Sequence, residues 1–363
     1  MSDNAVLAEL RGQLGVITLN RPSALNALSL SMIREITAAL LRWRDDDDVT
    51  AVLLRGAGRD GKAPAFCAGG DIRFFHQAAL AGDPTLEDFF TEEYSLNHLI
   101  HTYGKPTVVL MDGITMGGGM GLAQGCSLRV VTEHSKLAMP ETNIGLFPDV
   151  GGGWFLARCP GHLGEYLALT GHALGAADAI GAGLADVFMP SAELPVLVES
   201  LTDQPMENGA QALAAVRARA RPVGAARLAA QRDAIDRHFA AASTVDIATS
   251  LAADRSAWAV DTLKALRQRS PLMLAVTLEQ VRRACTMSLA DELRMERGLV
   301  RHCFHLRPGA ASETVEGIRA LAVDKDHQPR WQPGAIESVD AAMVEAFFAS
   351  PWPAHAHPLR DLR

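Results

Sequence analysis

Two carboxylates, Glu141 and Asp149, stand eight residues apart in the otherwise apolar and glycine-rich stretch AMPETNIGLFPDVGGG (138–153). In such surroundings a carboxylate loses water, which raises its pKa and suits it to move protons near neutral pH. A third acid, Glu93, is the second of the pair in TEEYSLN (91–97). Two glycine clusters complete the set, in AFCAGGDIR (65–73) and GITMGGGMGLA (113–123). Each follows a run that reads as a strand, where glycine lets backbone N–H groups come close to a ligand. A helix opening near 118 adds unsatisfied N–H groups and the positive end of its dipole. Two amides converging on one oxygen make an oxyanion hole, in which losing one donor typically costs roughly 10²–10³ in rate. Each feature also has a plain structural reading. Glu141 could start a helix after Pro140, Asp149 could cap the turn before Gly151, Glu93 could sit on a helix surface, and the glycines could serve tight packing.

The elements that would carry these residues are legible as runs and periods. GVITLN (15–20), AVLLRG (51–56), TVVLMDG (107–113) and LRVVTE (128–133) are short, branched and bounded by turn residues, and are expected as strands. Ile33, Ile36, Leu40 and Trp43 recur at helical spacing, with Ser29 or Ser31 as the N-cap. From about 195 the text turns rich in Ala, Leu, Arg and Glu with helical periodicity, interrupted at RPV (221–223) and SPL (270–272). The expected organisation is an α/β core over 1–195 and a mainly helical region over 196–363. That region would complete or cover the site and is a candidate for homo-oligomer contacts.

Composition narrows the function. The 363 residues are 48% hydrophobic and 21% charged, with a net charge of −8, so no basic field attracts nucleic acid. Five cysteines without CxxC spacing point to reduced thiols and a cytoplasmic setting. The first residues, MSDNAVLAELRGQLG, carry neither a signal-peptide nor a transit-peptide pattern, and no apolar run is long enough to span a membrane. GAGRDGKA (56–63) has P-loop spacing, but Ala63 and Pro64 follow the lysine where a hydroxyl and a helix are needed. GGGMG (117–121) does not form GxGxxG, and no GxSxG elbow occurs. DDDD (45–48) reads as a solvated turn, and the pairs His98/His101 and His302/His305 lack a third metal ligand.

Taken together, NRPSALNALS (20–29), FCAGGDIR (66–73), KPTVVLMDGITMGGGMGL (105–122) and PETNIGLFPDVGGG (140–153) resemble, in order and spacing, the crotonase or enoyl-CoA hydratase/isomerase superfamily. Within it, TEEYSLN, AMPETNIGLFPDVGGGWFL, YLALTG (166–171) and DKDHQPRW (324–331) are similar to the subgroup that hydrolyses 3-hydroxyisobutyryl-CoA. The resemblance implies a crotonase-like α/β spiral of ββα units with a C-terminal helical region, an acyl-CoA substrate, and no metal or other cofactor, CoA being part of the substrate. By motif position it makes Gly70 and Gly118 the oxyanion amides. Glu141 becomes the central carboxylate, acting as nucleophile or on water. Asp149 would orient the substrate hydroxyl or assist proton transfer. Glu93, Ala68, Asp71 and Ile72 would border the substrate, and Arg21, Arg73 and Lys105 are candidate contacts for CoA phosphates. Hydratases of the superfamily carry a second glutamate where this chain has Gly121. Hydration is thereby disfavoured and thioester hydrolysis favoured, with placement in valine breakdown. A hydratase or dienoyl-CoA isomerase, and a catalytically silent CoA-binding subunit, are the alternatives.

Overall fold

The computed structural model describes residues 4–58, 61–203 and 205–363; residues 59 and 60 of the P-loop-like segment, and residues 1–3 of the opening stretch, lie outside them. By its internal contacts the chain forms two compact units. One comprises Met1–Gly70, Ser95–Ala138 and Ala173–Ala229, the other Asp71–Tyr94, Met139–His172 and Ala230–Arg363.

All the strands belong to the first unit. β1 (Val6–Arg11) and β2 (Leu14–Leu19) form an antiparallel hairpin, and β2 then pairs in parallel with β3 (Ala51–Gly56). β5 (Thr107–Met111), β7 (Leu128–Val131) and the two-residue β9 (Val187–Phe188) continue the sheet in parallel, in the order β1-β2-β3-β5-β7-β9. A second sheet of three-residue strands, β4 (Ala65–Cys67), β6 (Ile114–Met116) and β8 (Lys136–Ala138), runs in that order, also parallel. The chain therefore repeats one unit. A strand of the large sheet leads to a strand of the small one and then to a helix: β3–β4–α2 (Ile72–Ala81), then β5–β6–α4 (Gly118–Gln124). This is the expected ββα repeat. The four strands read from the sequence are present, with ends that differ by no more than two residues.

The large sheet is apolar because parallel strands are covered on both faces; Leu14, Val16, Leu53, Val108, Leu110, Leu128 and Val130 form one buried cluster with the helices after 194. α1 (Leu30–Arg44) has the predicted apolar face, and Ser29 is the N-cap, accepting from the Met32 N–H. Trp43 lies flat on Gly15, where any Cβ would come within 2.6 Å of the ring. Lys105 donates to the carbonyl oxygens of Trp43 and Asp46 at the end of α1, where the helix dipole favours a cation.

The second unit is helical. α3 (Thr85–His101) enters it with residues up to Tyr94. Five of the later helices start on serines: Ser243, Ser256, Ser270, Ser288 and Ser312 each accept the N–H three residues on. SPL (270–272) is such a start, with Pro271 at the first helical position.

Candidate active site

In the first unit the two glycine clusters meet. β4 and β6 are parallel neighbours, so the segments that follow them leave the same end of the small sheet. Their backbones touch: a Cβ on Gly69 would lie 3.4 Å from the Gly118 nitrogen, and one on Gly119 would lie 2.3 Å from the Cys67 carbonyl oxygen. Gly69 (φ +100°) and Gly117 (φ +49°) take backbone angles that side chains disfavour. Gly118 opens α4, ahead of the i→i−4 ladder, and the Gly70 and Gly118 N–H groups donate to no acceptor among the described residues.

The NRPSALNALS segment explains how this turn is held. Leu25 and Asn26 have positive φ, and the buried Asn26 amide donates to the Ala65 carbonyl (2.9 Å) and accepts from the Arg21 N–H (3.0 Å). The Leu25 carbonyl accepts from the Ala68 N–H, and the Leu28 N–H donates to Gly69. Arg21 turns its guanidinium onto the Ala27 carbonyl (2.7 Å), and Lys105 is engaged at the end of α1, so both serve local structure. Asn97 was not anticipated. It is 3% exposed, and neither polar atom of its side chain has a partner.

In the second unit the three acids are buried and feel one another. Pro140 precedes a single 3₁₀ turn, Glu141–Ile144, closed by Gly145 at φ +67°. A Cβ on Gly145 would lie 2.2 Å from the Glu313 carbonyl, and Thr314 donates to Gly145 O, so the helix Glu313–Ile318 clamps the turn. Glu141 is 6% exposed and its Oε2 has no partner. Burial holds its carboxyl well above the usual range, and the charges of Asp149 and Glu93 add to this. Asp149 accepts from the Tyr94 hydroxyl at 2.9 Å. Burial lifts it to about 6, against the pull of the Tyr94 bond. Glu93 is raised well above its ordinary value by burial and by Asp149, and its Oε1 is also unpartnered. Acids whose environments push them up together mark a candidate proton-transfer site.

Tyr94, whose hydroxyl meets Asp149, was not singled out from the sequence, although it follows Glu93 directly. Asp71 caps α2, accepting from Phe74 N–H, and Ile72 is that helix's first residue. Among the described residues no cluster of three or more His, Cys, Asp or Glu side chains could hold a metal, and no helix is long and apolar enough to cross a membrane. His305 bonds to Glu87, and His302 to the Phe347 carbonyl.

The sequence model of the enoyl-CoA hydratase/isomerase family matches residues 14–348. A curated relative from Danio rerio, named 3-hydroxyisobutyryl-CoA hydrolase, mitochondrial, is 42% identical over 95% of this chain and 89% of its own length. A crystal structure described as a carnitinyl-CoA dehydratase from Mycobacterium thermoresistibile is 39% identical, covers 97% of this chain and 98% of its own, and has a TM-score of 0.89. One described as an enoyl-CoA hydratase from Rhodobacter sphaeroides is 40% identical, with 96% and 98% coverage and a TM-score of 0.85. With a family match over nearly the whole length and relatives this close, the chain belongs to the enoyl-CoA hydratase/isomerase family.

Proposed function

We propose that the protein hydrolyses the thioester of 3-hydroxyisobutyryl-CoA, or of a close short 3-hydroxyacyl-CoA such as 3-hydroxypropionyl-CoA. The observation that carries this is the buried carboxylate set without a counterpart at 121. Glu141 is strongly basic for a carboxylate, while Gly121 on α4 offers no acid where hydration needs a second one. The name of the curated relative supports the same reaction, whereas the names of the two crystal structures point to hydration chemistry.

In this reading the Gly70 and Gly118 N–H groups donate to the thioester oxygen as negative charge develops on it. Glu141 either takes a proton from the water that attacks the carbonyl carbon, or attacks that carbon itself to give a mixed anhydride that water then cleaves, releasing the acid and freeing the carboxylate. The carbon–sulfur bond breaks with its electron pair going to sulfur, and the thiolate needs little help from an acid to leave. Asp149, held by Tyr94, and Glu93 engage the acyl hydroxyl, with Ala68, Asp71 and Ile72 bordering the substrate. CoA enters only as part of the substrate. Formation of 3-hydroxyisobutyrate would place the reaction in valine breakdown. The cytoplasmic expectation finds no echo in the curated relative, whose name places that protein in mitochondria.

The test is thiol release. Purified protein with 3-hydroxyisobutyryl-CoA and a thiol dye should free CoA catalytically. A changed acyl chain without free thiol would instead identify a hydratase or isomerase, and no change at all a silent subunit. Glu141→Gln should cut thiol release by more than 100-fold with little change in melting temperature; turnover within twofold of wild type removes Glu141 from the mechanism.

A further inference from the structure

The second glycine cluster, Gly151–Gly153, is not used by the chemistry above, yet the backbone there is strained. Val150, which follows Asp149, has φ +59°, and Gly151 has φ +84°. A β-branched residue at positive φ is strained and persists only where its surroundings hold it. The holders come from two helices of the same unit. Glu296, on the helix Leu289–His305, accepts the Gly151 N–H at Oε2 (2.8 Å) and the Gly153 N–H at Oε1 (3.3 Å). Gln280, on the helix Pro271–Ala284, donates to the same Oε1 (2.9 Å) and to the Pro148 carbonyl (2.8 Å). Glu296 and Gln280 are fully buried. Gly153 permits this approach, since a Cβ there would come within 2.4 Å of Glu292 Oε1 and 2.9 Å of Gln280 Nε2. The turn carrying Asp149 is thus tied at 148, 151 and 153, on both sides of its strained residue.

We propose that Glu296, with Gln280, is a positioning residue for Asp149: by gripping the Gly151 and Gly153 amides it holds the strained Val150 turn that presents the Asp149 carboxyl to the Tyr94 hydroxyl. This rests on the reading of Asp149 as a working group. Burying an acid among other acids is costly unless its oxygens are filled, and here three N–H donors fill them. A glutamine at 296 keeps the shape but turns an amide N–H₂ toward one of the backbone N–H groups, so the turn loses one of its ties.

The experiment compares E296Q, Q280L and the double variant. E296Q should lower kcat for thiol release by about 10²-fold, the cost of displacing a catalytic group by about 1 Å, with KM within threefold. Q280L, which loses its bonds to the turn and to Glu296, should lose on the order of 3- to 10-fold in kcat. The double variant should be no worse than E296Q, because both act through one turn. Wild-type kcat in either folded single variant, a KM change matching the kcat change, or losses that multiply in the double variant overturns the proposal. If E296Q does not fold, Q280L decides. Amide exchange at Gly151 and Gly153 should accelerate in the variants, and unchanged exchange also overturns the tie. Should the wild type release no thiol, the functional reading fails while the exchange data still judge the tie.

Discussion

Removing one hydroxyl, in Tyr94→Phe, tests how the acids are tuned. Asp149 stands at about 6 because burial raises it and the 2.9 Å bond from Tyr94 pulls it back. A hydrogen bond to a charged acceptor contributes roughly 1.5–3 kcal/mol net, and about 1.4 kcal/mol corresponds to one pKa unit. Losing it should move Asp149 up by about 1–2 units, to between about 7 and about 8. The ring remains, so its edge contact with Phe90 (centroids 6.1 Å apart) is kept and the fold should be little disturbed. Thiol release is measured as kcat/KM from pH 5 to 9. The rise on the acid side should shift upward by that amount in the variant, with the high-pH plateau within a few-fold of wild type. The rise reports the coupled acids rather than one residue, because the Asp149 charge also raises Glu93. A limb that stays in place or moves to lower pH refutes the claim that the Tyr94 hydroxyl stabilises a charge the reaction needs.

The same burial governs stability against pH. Asp149 is raised from 3.8 to about 6 and Glu292 from 4.5 to about 7, so between these values the two groups hold more protons in the folded chain than in the unfolded one, and their contribution to stability falls as pH rises from about 4 to 7. The Asp149 share is on the order of 3 kcal/mol, so Asp149→Asn should flatten part of the fall in melting temperature; a melting temperature that rises over this window contradicts the assignment. Gly119→Ala places a Cβ 2.3 Å from the Cys67 carbonyl and forces the ends of β4 and β6 apart. Turnover should drop by at least tenfold with the protein still folded, and an unchanged rate means that the paired amides do not matter. A chelator such as EDTA should leave turnover unchanged, and its abolition would reveal a metal requirement.

The main strands were legible because a fully buried parallel strand is a compact branched run, and α1 because its apolar face repeats at helical spacing. β4, β6 and β8 have three residues each, too few for any period to show. Glu141 and Asp149 stood out because acids are rare among apolar neighbours. Tyr94 and Asp149 are 55 residues apart, and nothing local announces their bond. Glu292 and Glu296 lie four apart in a helix rich in charges, with nothing local to mark them as interior, yet both are fully buried. Their burial is decided by the glycine turn packed on them, a long-range contact that helical periodicity does not encode.

The Asn26 side chain has a consequence for how the molecule breathes. It joins the start of its own turn to the strand that leads into Gly70, and the neighbouring backbone bonds of Leu25 and Leu28 fasten the same loop. That loop has little regular structure of its own and borrows its rigidity from residues 21–28. The two segments should therefore loosen as one cooperative patch, so a substitution at Asn26, which bears no reacting group, would slow turnover by raising the share of molecules in which the patch is open.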